Sequence, residues 1–315
     1  MKTFLKIVGV GVVVALLARV EAGEGGLKLR YLPKTGELIY RTTTKMNQTQ
    51  NIMNMELKNE MHNSSVSVWT VGDADKEGNI EVRAETKLLE AKMKFGPLGD
   101  YTFDSRKNDN ERGSAIGGAL TPLYERLSSA NLGFTLTPQG KIVKLDGYKE
   151  LIGDLVKDNP IAAQFAGGGS DEVAKMNMSE FIVRFNDKPV NPGERWEAPF
   201  DLNLDKFGKA QGKKIYIYEG EGKVGAHKTA KINVTTELNF DLDLDMGGVK
   251  VTGKMSVTES KGTFHFDPKR GCLVSFSSEY KLAGNLNVAA GGKDIPVATE
   301  QSQQITVELL DKLPK

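Results

Sequence analysis

Apolar and polar residues alternate with a period of two along most of this chain. The cleanest stretch holds Ile232, Val234, Thr236, Leu238, Phe240, Leu242 and Leu244, with Lys231, Asn233, Thr235, Glu237, Asn239, Asp241, Asp243 and Asp245 between them. Successive side chains of a strand point to opposite faces, so the pattern predicts one long strand with a dry side and a wet side. Met246-Gly247-Gly248 supplies a hairpin turn, after which Val249, Val251, Gly253, Met255 and Val257 return antiparallel. At a rise of about 3.3 Å per residue the hairpin is roughly 40 Å tall. That is about twice the usual strand length, and suits a tall curved sheet or half-barrel.

The first half reads in the same way. A strand opens after Gly36 and covers Glu37 to Thr44. Met53, Met55 and Leu57 alternate with Asn54, Glu56 and Lys58, and Val66, Val68 and Thr70 with Ser67, Trp69 and Val71. A Gly/Asp loop spans 72–78, followed by strands at Ile80, Val82, Ala84 and at Leu89, Ala91, Met93, Phe95. The middle changes character. Ile116, Leu120, Leu123, Tyr124 and Leu127 have helical spacing, as do Leu151, Ile152, Leu155 and Val156 before Asn159-Pro160. Between them Phe134 to Val143 reads as strand, turn and strand. Gly167-Gly168-Gly169 marks a break, and Ser170 caps a helix carrying Val173 and Met176 and extending towards Phe181.

Segments recur in the same order in the two halves. Gly36-Glu37-Leu38-Ile39-Tyr40 resembles Gly193-Glu194-Arg195-Trp196, and Val66-Ser67-Val68-Trp69 resembles Ile215-Tyr216-Ile217-Tyr218. Gly99 to Arg106 resembles Gly262 to Lys269. The expected fold is therefore α+β and β-dominated: two related units of long curved antiparallel strands with a central helical segment. The predicted boundaries are a signal peptide over 1–22, a first β-unit with the helical segment over 23–185, and a second β-unit over 186–315, with Asn186 to Pro192 as the link.

The N-terminus changes the expected compartment. Lys2 and Lys6 precede an apolar run from Ile7 to Ala18, and Val20-Glu21-Ala22 offers small or apolar residues around a cut after Ala22. This is the build of a secretory signal, and the run falls well short of the roughly twenty residues that span a bilayer. The expected location is exported, periplasmic or extracellular, with no integral membrane span after cleavage. Cys272 is the one cysteine, so no internal disulfide can form and stability must come from packing. Apolar residues make up 39% and charged residues 26% of the chain. Loss of Lys2, Lys6, Arg19 and Glu21 leaves the mature chain near −1, which argues against nucleic acid as a partner because phosphate binding leaves a basic footprint.

The Gly-Glu strand opener, the Gly140-Lys141-Ile142 strand, the central helical stretch and Pro189-Val190-Asn191-Pro192-Gly193-Glu194-Arg195-Trp196 together resemble an exported bacterial domain-of-unknown-function family of similar length, planctomycete-like in its distribution. The resemblance implies no activity. A more distant architectural likeness is to periplasmic lipoprotein carriers, whose curved sheet packs on helices around an acyl-chain cavity, and fold alone does not license function.

Catalytic signatures are sparse. The histidines are His62, His227 and His265, and no paired-Cys or His-Glu-x-x-His spacing occurs, so neither a metal nor a cofactor is expected. If Asp267 to Gly271 forms a turn, Phe266 pairs with Cys272 and His265 points to the other face, which works against a Cys–His dyad. No Gly-x-Ser-x-Gly elbow or phosphate-cradling loop is present, and Gly113 to Gly118 reads as a helix entry. Asp241, Asp243, Asp245, Asp201 and Asp205 read as solvated strand faces rather than a calcium loop. Methionine is skewed towards the first unit, at Met46, Met53, Met55, Met61 and Met93. Methionine suits adaptable apolar surfaces, so Met53, Met55, Leu57 and Met93 are the candidate ligand-binding residues, and Trp69 and Trp196 are expected to be packing residues. The expected role is non-catalytic: an envelope binding protein for an apolar or lipid-like ligand. A structural or protein-interaction module, with an envelope protein as partner, is the alternative and a secreted hydrolase the third reading.

Overall fold

The computed structural model describes residues 25–53, 55–110, 112–157, 162, 171–204, 208–245 and 249–314. The expected leader, the glycines at 167–169, Ser170, Asp205 and the expected turn at Met246-Gly247-Gly248 lie outside the described residues. In chain order the elements are β1 (Gly36–Ile52), β2 (Met55–Ala74), β3 (Ile80–Phe95), β4 (Asp100–Asp104), α1 (Ala115–Ser128), β5 (Asn131–Leu136), β6 (Ile142–Asp146), α2 (Tyr148–Lys157), α3 (Asp171–Ser179), β7 (Arg195–Asn203), β8 (Lys209–Val224), β9 (His227–Asp245), β10 (Val249–Asp267), β11 (Cys272–Ala290) and β12 (Lys293–Leu310).

All strands belong to one antiparallel sheet ordered β6-β5-β3-β2-β1-β12-β11-β10-β9-β8-β7. Each half of the chain is a meander, and the two meet where β1 pairs with β12 along Ile39–Ile52. β3 carries two partners on one edge: β4 pairs with Glu90–Lys94 and β5 with Ile80–Glu85. Both Gly-Glu openers stand at comparable places. Leu38 faces Trp69 across β1–β2, and Trp196 faces Tyr216 across β7–β8. The third recurring segment differs: Phe103 pairs near the end of β3, whereas Phe266 pairs near the start of β9.

The alternation sorts the sheet into two faces. On the inner face one row runs Thr42, Val307, Phe276, Phe264, Ile232 and Tyr218 across six strands. Phe264 stacks on Phe276 with centroids 4.1 Å apart. One buried cluster contains Phe134 and Leu145 from β5–β6 together with Tyr216 from β8. On a flat sheet β6 and β8 would be roughly 43 Å apart, so a single core across them requires the sheet to curl around its inner face. The space inside is bridged by Tyr31, Ile182, Val183, Phe185 and Val190, all buried. Leu27 and Val190 exchange backbone hydrogen bonds at 2.8 and 2.9 Å, tying the N-terminal segment to the link between the halves. α1 covers the inner face of β3–β4, setting Ile116, Leu120 and Tyr124 on Ala91, Met93 and Tyr101. Ser114 caps it by accepting the Gly117 N–H at 2.9 Å. The outer face is mostly polar, although Val66 and Val68 are buried on it. Asp241 and Asp243 lie there, paired with Lys254 and Lys250.

Three sequence expectations need correction. Met53 is not in a strand: Ile52 pairs with Met55, and Met53 sits in the turn with φ of +50°. Met53 brings none of the Gly or Pro signals that mark turns. The two strands expected at 80–84 and 89–95 are one strand. A bulge shifts the pairing from Ser67–Thr86 to Val66–Leu88 and reverses the phase of the alternation. The turn after β10 differs by one residue: Cys272 pairs with Asp267 and Leu273 with Phe266. The Gly271 N–H is bonded to the Asp267 carbonyl at 2.8 Å.

The β5–β6 turn packs directly on the inner bridge. Gly140 has φ of +80°, and a Cβ there would lie 2.1 Å from the Val183 carbonyl oxygen and 2.9 Å from the Tyr31 ring. Gly140→Ala should therefore destabilise the fold by about 3 kcal/mol or more, read as a lowered midpoint in urea unfolding.

Candidate functional site

Between the inner face and the segment after α3 lies an apolar recess of about 230 Å³. Leu38 and Tyr40 on β1, Trp69 and Val71 on β2, and Ile80, Val82 and Ala84 on β3 form its floor. Tyr31, Met178, Phe181 and Ile182 form its roof, and Cys272, Leu273 and Val307 close one side. Alternation explains the floor, since Leu38, Trp69 and Ala84 pair across three strands and share a face. Trp69 is clasped edge-on by Tyr40 and Phe134 at 4.9 and 5.2 Å, with Phe181 at 6.3 Å.

The polar tips around the recess are used by the protein itself. The Tyr40 hydroxyl donates to the Leu273 carbonyl at 3.0 Å. The Trp69 indole N–H donates to the Ser67 hydroxyl at 3.1 Å. The Tyr31 hydroxyl accepts the Val183 N–H at 3.0 Å. What remains facing the recess is mostly ring face, methyl and thioether, with the hydroxyls of Thr42, Ser65 and Thr86 at one end. Such a surface favours apolar groups, because a polar ligand would lose its hydration without gaining partners.

The roof is held from the opposite half of the sheet. Lys214 on β8 points inward and its ammonium donates to the Ser179 carbonyl at 2.9 Å, with the Glu180 carboxylate at 3.4 Å. A cation at these last carbonyls of α3 also complements the helix dipole. The Trp196 indole donates to the Arg184 carbonyl at 2.6 Å while its ring stacks on Tyr216. Both tryptophans thus pack against aromatic rings, and Trp69 also lines the recess. Burial, reinforced by the Glu180 charge, pushes the Tyr280 hydroxyl well above its usual range.

The four residues expected to bind ligand are not brought together. Met53 and Met55 are 62% and 60% exposed at the β1–β2 tip. Leu57 is half-buried further down β2. Met93 is buried under α1 against Tyr101. The tip is ten residues along β2 from Ser65, the nearest lining residue on that strand, and so about 33 Å from the recess. Methionine does form a row on the inner face, but through Met46, Met61 and Met93, which pair across β1, β2 and β3. His265 lies beside Thr229, with 3.2 Å between its Nδ1 and the hydroxyl. Among the described residues no group of three or more His, Cys, Asp or Glu could hold a metal ion. No helix among them is long and apolar enough to cross a membrane.

The fold and recess define a β-dominated α+β protein with one large curled sheet over an apolar pocket. The model of the family of unknown function DUF6263 matches residues 77–273, from the β2–β3 loop to the first residues of β11, and the chain belongs to that family. No curated protein matches the chain. Among solved structures it is similar to lipovitellin, studied for its lipid–protein interactions, at 10% identity and a TM-score of 0.39. That match covers 90% of this chain and 26% of lipovitellin, so the chain spans about a quarter of the length of that relative. A second likeness is to the COG4313 outer membrane channel of Pseudomonas putida F1, at 7% identity and a TM-score of 0.24, covering 90% of this chain and 98% of the channel. A third is to the β domain of the Bordetella autotransporter BrkA, at 7% identity and a TM-score of 0.20, covering 86% and 98%. Overlaps this loose carry no argument about ligand or partner.

Two outcomes follow from the buried acids of the core. Burial pushes the Cys272 thiol up to about 11, so at pH 8 its alkylation should be slower than that of a free thiol by roughly two orders of magnitude. Burial also raises the hydroxyls of Tyr31, Tyr40 and Tyr216. The unfolded chain ionises these groups first, at about 8.5 for Cys and about 10 for Tyr. Their contribution to stability is therefore full below about pH 8.5 and lost as pH rises towards the folded values. Unfolding midpoints should be level between pH 7 and 8 and fall steadily above about pH 9.

Proposed function

We propose that the protein is an exported, non-catalytic binding protein of the cell envelope that holds an apolar, lipid-like ligand in the recess over Trp69. The observation that carries this reading is the recess itself, whose aromatic polar tips are already bonded within the protein. Its volume exceeds the roughly 150 Å³ of a dry cavity that takes up benzene and lies just below the roughly 300 Å³ at which drug-sized pockets begin. It therefore suits a small apolar body or one segment of a longer chain. Thr42, Ser65 and Thr86 give one end of it hydroxyls, which provides a place for a weakly polar terminus. Edge pairing with another protein is disfavoured at β7, where Pro199 lacks an N–H and Arg195, Glu197 and Asp201 charge the outer row.

Native mass spectrometry of the protein from its own envelope, without detergent, is expected to show an adduct that extracts into organic solvent. In titrations with the neutral dye Nile red, dye emission should rise and Trp69 emission fall together. Ala84→Phe points a ring into the recess from its floor and should weaken dye binding at least about tenfold, with little change in urea midpoint. A wild-type protein that takes up neither dye nor natural adduct would sink the proposal. So would an Ala84→Phe variant that binds as well as the wild type.

A further inference from the structure

The outer face carries a second concavity, a groove of about 850 Å³ that runs across seven strands from β4 to β10. It lies on the opposite side of the sheet from the apolar recess. It is about 29 Å long across the strands and takes in only three residues of each, about 7 Å. Two cross-strand rows line it, and they differ in charge. In one, Lys94 is paired with Glu60 and Lys281 with Glu259 at 2.9 Å each, so that row is internally neutralised. In the other, Lys261 is paired with Glu279 at 2.7 Å, but the row continues with Lys45, His62 and Lys92 directly opposite one another. Those three basic side chains have no carboxylate within ion-pair distance among the described residues. The nearby acids are engaged elsewhere, Glu90 by Arg106 and Glu60 by Lys94. Lys45 and Lys92 stand on either side of His62 with no carboxylate to neutralise them, so an anion seated between them would be attracted from both sides.

The surroundings narrow the class of anion. Asn47, Ser302 and Thr102 flank the basic row with uncharged amide and hydroxyl groups. Along the rest of the groove Lys94, Lys281 and Lys261 are already matched by Glu60, Glu259 and Glu279, so a chain charged at every unit, such as a nucleic acid, would find no further free cation there. A planar membrane surface does not enter a concavity. We propose that the groove binds an elongated, hydroxyl-rich molecule with sparse sulfate or phosphate groups, an acidic oligosaccharide in class, with one oxyanion seated on Lys45, His62 and Lys92.

The test is calorimetric titration of the full chain with a singly sulfated maltooligosaccharide about as long as the groove, its unsulfated parent, and sodium sulfate. The sulfated sugar should bind, more weakly as salt rises, with the parent at least about tenfold weaker. Lys45→Gln/Lys92→Gln should lose that binding while its melting temperature stays level or rises. Lys34→Gln/Lys269→Gln, outside the groove, should bind as wild type. If the double variant at the basic row melts early, His62→Gln in the same row carries the test. Equal binding of sulfated and parent sugars, or undiminished binding by the row variants, overturns the proposal. Sodium sulfate binding as tightly as the sugar overturns the elongated ligand. Nile red binding reads the recess on the other face, so the two sites fail or stand separately.

Discussion

The seam between β1 and β12 is the constraint on which the rest depends. Two meanders, each built from local hairpins, become one sheet only because the first and last strands pair from Ile39–Leu310 to Ile52–Val297. Without the seam each meander would expose one more long edge, and an unpaired edge of this length is a template for aggregation. The seam also sets the curl. It aligns the inner rows of both halves, so Thr42 and Val307 continue one apolar line into Phe276 and Phe264. The sheet then bends until β5–β6 and β8 share a core.

That bend creates an interior that short connections cannot fill. Strands of up to 20 residues give an inner face far larger than the three described helices can cover. The chain fills one end with the crossing of the N-terminal segment and the 181–190 link, pinned by Tyr31, Trp196 and Lys214. Beneath that crossing the fit between Phe181 and the floor is incomplete, and the recess is what is left. Its position is thus a consequence of topology: it lies where the link between the halves passes over the first meander.

Much of this was legible in the chain. The alternation at 231–245 places its residues as β9 does, and the helical spacing at 116–127 and 151–156 marks α1 and α2. Alternation fixes which face a residue takes but not where along a strand the face becomes covered. That is why Met53 and Met55 looked equivalent to Met93, although only Met93 lies under a helix. The bulge in β3 was visible as a phase reversal between Ala84 and Leu89, and it separated one strand into two. The recess was not legible, because it joins residues 31, 40, 69, 84, 178–182 and 272, whose proximity depends on the seam and the curl. Trp69 and Phe181 were visible as apolar positions, with no local sign that they face each other.

The divided edge of β3 has an evolutionary meaning. The chain leaves that edge at β4, travels through α1, and returns to the same edge at β5. Such an excursion begins and ends on one strand, so its content can be exchanged without altering the order of any other strand. The length of the stretch between Asp104 and Asn131 is thus independent of the register of the other strand pairs. The fold can therefore diversify one wall of its interior while inheriting the rest unchanged.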